Sequence, residues 1–174
     1  MKQKIKIKLL DKQCVPSLSE NGDWIDLRAA ENITLSSPWA ATKPKKGKEE
    51  SRIVRFSTKY IPLGIAVELP DGMEAIVALR SSSPKKFNIM CSNSIGIIDN
   101  GYRGDNDQWY LPAIAKGDVN INKGDRICQF KIQLSQKATV WQKLKWLFSD
   151  GIELEIVENL NNPDRGGLGH SGVK

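Results

Sequence analysis

Residues 92–104 read Ser-Asn-Ser-Ile-Gly-Ile-Ile-Asp-Asn-Gly-Tyr-Arg-Gly, and they set one carboxylate, Asp99, three positions before one phenol, Tyr102. A carboxylate at a strand end can take a proton from water, and an aromatic ring beside it can wall a pocket. The run from Ile95 to Ile98 is rich in β-branched residues, and Asn100-Gly101 tolerates positive φ. The pattern predicts strand, hairpin turn, strand, with Asp99 and Tyr102 close together in space.

The rest of the inventory narrows the chemistry. His170, near the end of the sequence, is the single histidine, so a multi-histidine metal site is excluded and a Ser-His or Cys-His pair would have to recruit a tail residue. The three cysteines, Cys14, Cys91 and Cys128, are odd in number and far apart, without a Cys-x-x-Cys pair, which argues against structural zinc and a disulfide framework. No strict Walker pattern occurs. Carboxylates, a metal held by oxygen ligands, or both remain.

The elements that must position these groups are mostly strands. Lys4-Ile-Lys-Ile-Lys-Leu9 alternates charge and apolar bulk, and further strands are expected at 53–56, 64–69, 74–79, 95–98, 109–114 and 126–134. Pro62, Pro70-Asp71-Gly72, Asn100-Gly101, Lys116-Gly117-Asp118 and Lys123-Gly124-Asp125 punctuate them at spacings typical of a β-barrel or sandwich. At 174 residues the chain is expected to form one mainly β domain over 1–160, with a flexible glycine-rich arm over 161–174. No apolar run approaches the roughly 20 residues that span a bilayer, and a soluble, cytoplasmic protein is expected.

Two segments stand apart. Apolar residues at Val140, Trp141, Leu144, Leu147 and Phe148 follow the helical period, with Thr139 as N-cap and Gly151 as terminator. This helix is expected to pack its apolar side on its own domain, leaving Trp146, off the stripe, for a partner. The segment 43–52 carries Lys43, Lys45, Lys46, Lys48 and Arg52 against Glu49 and Glu50, half of the net charge of +6. Without interleaved aromatics it reads as a solvated basic loop rather than a nucleic-acid surface.

Five segments in order resemble the trimeric dUTP pyrophosphatases (dUTPases). They are Ile25-Asp-Leu-Arg-Ala-Ala30, Arg80-Ser-Ser-Ser83, Asn93 through Gly104, Gly124-Asp-Arg-Ile-Cys-Gln129, and the tail from Arg165 to Gly172. The resemblance implies a distorted β-barrel or jelly roll and a homotrimer whose sites form between subunits. It also implies cleavage of dUTP to dUMP and pyrophosphate. Asp99 would activate the attacking water, and Tyr102 would set its ring against the deoxyribose. Asn93, Gly96 and Ile98 would present main-chain groups to uracil. Arg80, Ser81, Ser82 and Gln129 would meet the phosphates, and Arg165, Leu168, His170 and Ser171 would close over them. Mg²⁺ would bridge the triphosphate largely through waters, with Asp26 nearby.

Departures from the family pattern shape the remaining expectations. Leu168 stands where the family usually stacks a phenylalanine on uracil, and the glycine run Gly166-Gly167 is short, so the lid is expected to be weaker or replaced by another aromatic. Trp24 precedes the first motif where small residues are common. The basic loop (38–51) and the helix (138–150) look inserted, as in phage-encoded members, which points to a phage or prophage origin and to a possible role as a ligand for a repressor or other protein. A related dCTP deaminase is the nearest enzymatic alternative, but Asp-x-x-Tyr-Arg-Gly offers no glutamate for deamination.

Overall fold

The computed structural model describes residues 2–18, 22–43 and 51–167. The order of elements is β1 (Gln3–Leu9), β2 (Ser17–Leu18), β3 (Ile25–Arg28), β4 (Ile33–Leu35), β5 (Trp39–Lys43), β6 (Ser51–Arg55), β7 (Thr58–Glu68), β8 (Met73–Leu79), α1 (Ser83–Lys86), β9 (Ile89–Cys91), β10 (Gly96–Ile98), β11 (Gln108–Ala115), β12 (Val119–Ile121), β13 (Arg126–Leu134), α2 (Val140–Leu147) and β14 (Ile152–Val157). The strands form two five-stranded sheets, β14-β1-β7-β11-β9 and β10-β8-β13-β3-β2, together with the pairs β12-β4 and β5-β6. The architecture is mainly β and jelly-roll-like. No helix among the described residues is long and apolar enough to cross a membrane.

Alternation in β1 does two jobs. Ile5 and Ile7 are fully buried, while Lys4, Lys6 and Lys8 reach Glu155, Glu68 and Asp105 at 3.3, 3.1 and 3.0 Å. The strand thus feeds the core with one face and ties down its neighbours and one distant loop with the other. The sheets meet through a continuous apolar core in which Trp109 of β11 stands edge-on to Phe130 of β13, centroids 5.1 Å apart at 80°. All three cysteines are free thiols; Cys14 and Cys128 lie inside this core.

Several expectations need correction. The apolar run and Asn100-Gly101 do not form a hairpin: β10 pairs with β8 in one sheet, whereas β11 pairs with β7 and β9 in the other. Neither Asn100 nor Gly101 adopts positive φ. The turn is an ordinary one, with the Tyr102 amide donating to the Asp99 carbonyl at 3.0 Å, and it carries the chain from sheet to sheet. Pro62 is not a break but lies within the eleven-residue β7, opposite Tyr110 beside an irregularity in register that accommodates its missing N–H. Gly151 does not end α2, which stops at Leu147; its positive φ of 92° opens β14, and its carbonyl accepts from the Gln3 amide.

The helix itself is where predicted, closed by a full capping box between Thr139 and Gln142. Its faces are reversed from expectation. Val140, Trp141, Leu147 and Phe148 are 70–80% exposed, while the off-stripe Trp146 packs on the core. The part of the basic loop at 44–50 lies outside the described residues; its flanks pair as β5 and β6, where the Arg55 guanidinium sits 5.6 Å over the exposed Trp39 ring.

Candidate active site

Among the described residues strand β10 is an edge strand, paired with β8 alone. The strand helps to line a cavity of about 440 Å³, to which Gly96, Ile97 and Ile98 contribute together with Asn93, Asp99 and Tyr102. A free edge offers alternating main-chain N–H and C=O groups, and Gly96 lets a ligand come close to them. Asp99 follows as the first residue beyond the strand.

The turn that carries Asp99 is pinned from both ends. The Asn100 side-chain amide donates to the carbonyls of Leu69, Pro70 and Met73 at 3.4, 2.8 and 3.2 Å, tying the turn to the β7–β8 connection. The Tyr102 hydroxyl donates to the Gln108 carbonyl at 2.9 Å. Burial, followed by the field of Asp107, pushes the Tyr102 phenol above its ordinary range, so the group serves as a neutral donor and an apolar wall. Asp99 remains exposed and pairs with the Arg165 guanidinium at 2.9 Å.

Arg165 belongs to the segment after β14, expected to be a flexible arm, whose described residues through 167 lie against the molecule. The loop 104–107 receives it. Asp105 accepts from the amides of Leu160 and Asn161 and from Lys8. Asn106 donates twice to Asp164, and Asp107 accepts from the amides of Arg165 and Gly166. Gly167 lies so close to Tyr102 that a Cβ would fall 2.8 Å from its hydroxyl. Leu168, His170 and Ser171 lie outside the described residues.

The predicted residues fall into two groups. Asn93, Gly96, Ile98, Asp99, Tyr102 and Arg165 meet at the cavity; Asp26, Arg80, Ser81, Ser82 and Gln129 do not line it. Asp26 and Gln129 face each other across β3 and β13. Buried Asp26 is shared by Arg80 Nε at 2.8 Å and Arg126 Nη1 at 3.0 Å. Two guanidiniums on one carboxylate leave a net positive charge, and Arg80 runs directly into the exposed hydroxyl residues Ser81 and Ser82, a set suited to polyphosphate. Both Asp26 oxygens already have cationic partners, and among the described residues no three His, Cys, Asp or Glu side chains gather as a metal cage. This donor set fits a cation carried mainly by phosphate oxygens and water.

Sequence reasoning missed Asp105, Asn106, Asp107 and Asp164, as well as Tyr60, Gln108, Trp109 and Tyr110 of the cavity wall. The acid-rich run 105–107 directly after Gly104 was the available signal for the first three; nothing local marked the tyrosines, which a register between distant strands brings in.

An acid at the end of a strand edge, a neutral phenol and a cation meet at the cavity, and a separate cluster carries net positive charge beside exposed hydroxyls, in a β protein whose donor set is suited to a phosphorylated small molecule. A family model for dUTPase matches residues 46–172. The SPbeta prophage-derived deoxyuridine 5'-triphosphate nucleotidohydrolase of Bacillus subtilis is 43% identical over 171 residues, covering 98% of this chain and 99% of the relative. This chain belongs to the dUTPase family. Its fold is shared with the dUTPase of Staphylococcus bacteriophage 80alpha (TM-score 0.57, 19% identity, 78% of this chain and 93% of that one), described as belonging to phage dUTPases that control transfer of virulence genes. It is shared also with a dUTPase mutant from phage phi11 of S. aureus, described with a structural Mg(II) ion (TM-score 0.55, 18% identity, 78% and 94%).

The hydrogen bond from the Leu160 amide, then that from Lys8, holds Asp105 below its ordinary carboxyl value of 3.8, and the Asn106 side chain does the same for Asp164. For a depressed carboxyl the anchoring is fully present above the ordinary value and is lost as pH falls through the lowered one. An NMR titration of Asp105 should give a midpoint below 3.8 that rises, without reaching the ordinary value, in Lys8→Met. A midpoint at or above 3.8 in the native chain would contradict the anchored arm.

Proposed function

We propose that this chain hydrolyses dUTP to dUMP and pyrophosphate, with Asp99 as the base for the attacking water. The observation that carries the proposal is the exposed carboxylate set at the end of an edge strand that has no second strand partner among the described residues. Uracil offers an N–H between two carbonyls, the complement of alternating main-chain acceptors and donors. Cytosine reverses part of that pattern and would leave groups unpaired, at about 1–3 kcal/mol each. The Tyr102 ring, fixed through its hydroxyl to Gln108, would lie where a ribose 2′-hydroxyl would have to go. In-line attack on the α-phosphate would then need only a proton acceptor at Asp99 and cations to hold the leaving pyrophosphate.

The anion-binding cluster of Asp26, Arg80, Ser81, Ser82 and Gln129 stands away from this cavity. We propose that the protein is a homotrimer in which that cluster completes the cavity of a neighbouring copy and meets the triphosphate there. Mg²⁺ bound to the phosphates would spread their charge; Asp26, held by two arginines, would lie nearby and meet it through water.

The exposed apolar face of α2 favours a second role alongside catalysis, docking of a regulatory protein such as a repressor. Trp141→Ser with Phe148→Ser should leave turnover and melting temperature unchanged while abolishing calorimetric binding to such a repressor. Loss of turnover in that variant would instead tie the helix to the site.

With Mg²⁺, pyrophosphate release is expected from dUTP and not from dCTP, dTTP or UTP. Asp99→Asn should lower it by about a hundredfold or more, the scale of general-base catalysis. Ser81→Ala should be impaired on its own, and co-refolding the two variants should recover activity, because some mixed sites draw native residues from both chains. Undiminished Asp99→Asn would remove the base, and no recovery on mixing would place each complete site within one chain.

A further inference from the structure

Residues 158–167 leave β14 and run back over the molecule to the cavity, and the loop 104–107 is their principal receptor. Asp107 is its centre. The residue is 2% exposed, and its carboxylate accepts from three main-chain amides: Gly104 at 2.8 Å, Arg165 at 3.0–3.1 Å and Gly166 at 3.1 Å. A buried carboxylate is costly unless its oxygens are satisfied. Two of its donors come from the arm, so departure of the arm would take two main-chain donors away from this carboxylate.

The consequence for the site is geometric. Fixing the amides of Arg165 and Gly166 fixes the base of the Arg165 side chain, whose guanidinium reaches Asp99 at 2.9 Å. Gly166, at φ 73°, then turns the chain so that Gly167 closes on Tyr102. On the loop side, Gly104 is buried, and a Cβ there would run into the main chain of Asp164. A side chain at either glycine would hold the arm off.

We infer that Asp107 is the latch of the C-terminal arm: a positioning residue that acts on the reaction by seating Arg165 at Asp99 and the glycine pair at Tyr102. The functional half of this inference rests on the dUTP reading above; the structural half does not.

Two readouts on the full chain separate them. The first is tryptic cleavage after Arg165, followed by mass spectrometry, in the native protein, Asp107→Ala and Gly104→Ala. Cleavage should be about tenfold faster or more in both variants, the scale of losing hydrogen bonds to a charged group. Gly104→Ala keeps the Gly104 amide and the Asp107 carboxylate, so it reports on the arm even if Asp107→Ala fails to fold. The second readout is calorimetric affinity for α,β-imido-dUTP, in those chains and in chains ending at Pro163 with and without Asp107→Ala. Affinity should fall about tenfold in Asp107→Ala and no further when the mutation is added to the shortened chain. Unchanged cleavage in both variants overturns the latch. A full additional loss in the shortened chain overturns it too, because Asp107 would then act through its loop. If the native chain neither binds the analogue nor hydrolyses dUTP, the nucleotide reading fails, and cleavage still decides the latch.

Discussion

Among the described residues strand β10 has a neighbouring strand on one side only, and the proposed site depends on that free edge. An unpaired edge is a liability in a β protein, open to any other strand. Here it is three residues long, begins with glycine and faces a small cavity instead of open solvent. The same shortness leaves too few ladder bonds to hold the strand alone, which is why Asn100, whose side-chain amide donates to Leu69 and Pro70 in the β7–β8 connection and to Met73 at the start of β8, matters to the position of Asp99. In the proposed reaction the edge would supply recognition, and the strapped turn at its end would supply the acid.

The docked arm extends this arrangement. A sequence of glycine and polar residues has little of its own to fold around, yet through residue 167 it is held by a loop that presents three successive polar side chains to it. Lys8 links that loop to the first strand, so the alternation that builds one edge of the core also stiffens the receptor of the arm. Charges at the site are therefore arranged in a chain, from Lys8 through Asp105 and across the arm to Arg165 and Asp99.

Much of the fold was legible because its long strands alternate or run apolar: β1, β8, β11 and β13 fell within a residue or two of expectation. Strands of two to four residues, such as β2, β3, β4, β9 and β12, show no period that could be read, and their pairing is dictated by neighbours. Asp99 and Tyr102 were legible from type and spacing, but their setting was not: turn residues signalled a hairpin, whereas the Tyr102 to Asp107 connection joins two sheets. The faces of α2 were misread because helical period reveals a stripe without revealing what covers it; burying Trp146 rather than the stripe is a tertiary choice. The split of the site residues between the cavity and the Asp26 cluster has no counterpart in the sequence, where all five segments simply follow one another.

The central claim is that water, deprotonated at Asp99, attacks the α-phosphate of a nucleotide held along β10. Hydrolysis of dUTP in ¹⁸O-labelled water, with the products separated and weighed by mass spectrometry, tests it directly. The label should appear in dUMP and not in pyrophosphate. Label in pyrophosphate would mean attack on the β-phosphate, away from the position that Asp99 commands, and would contradict the account.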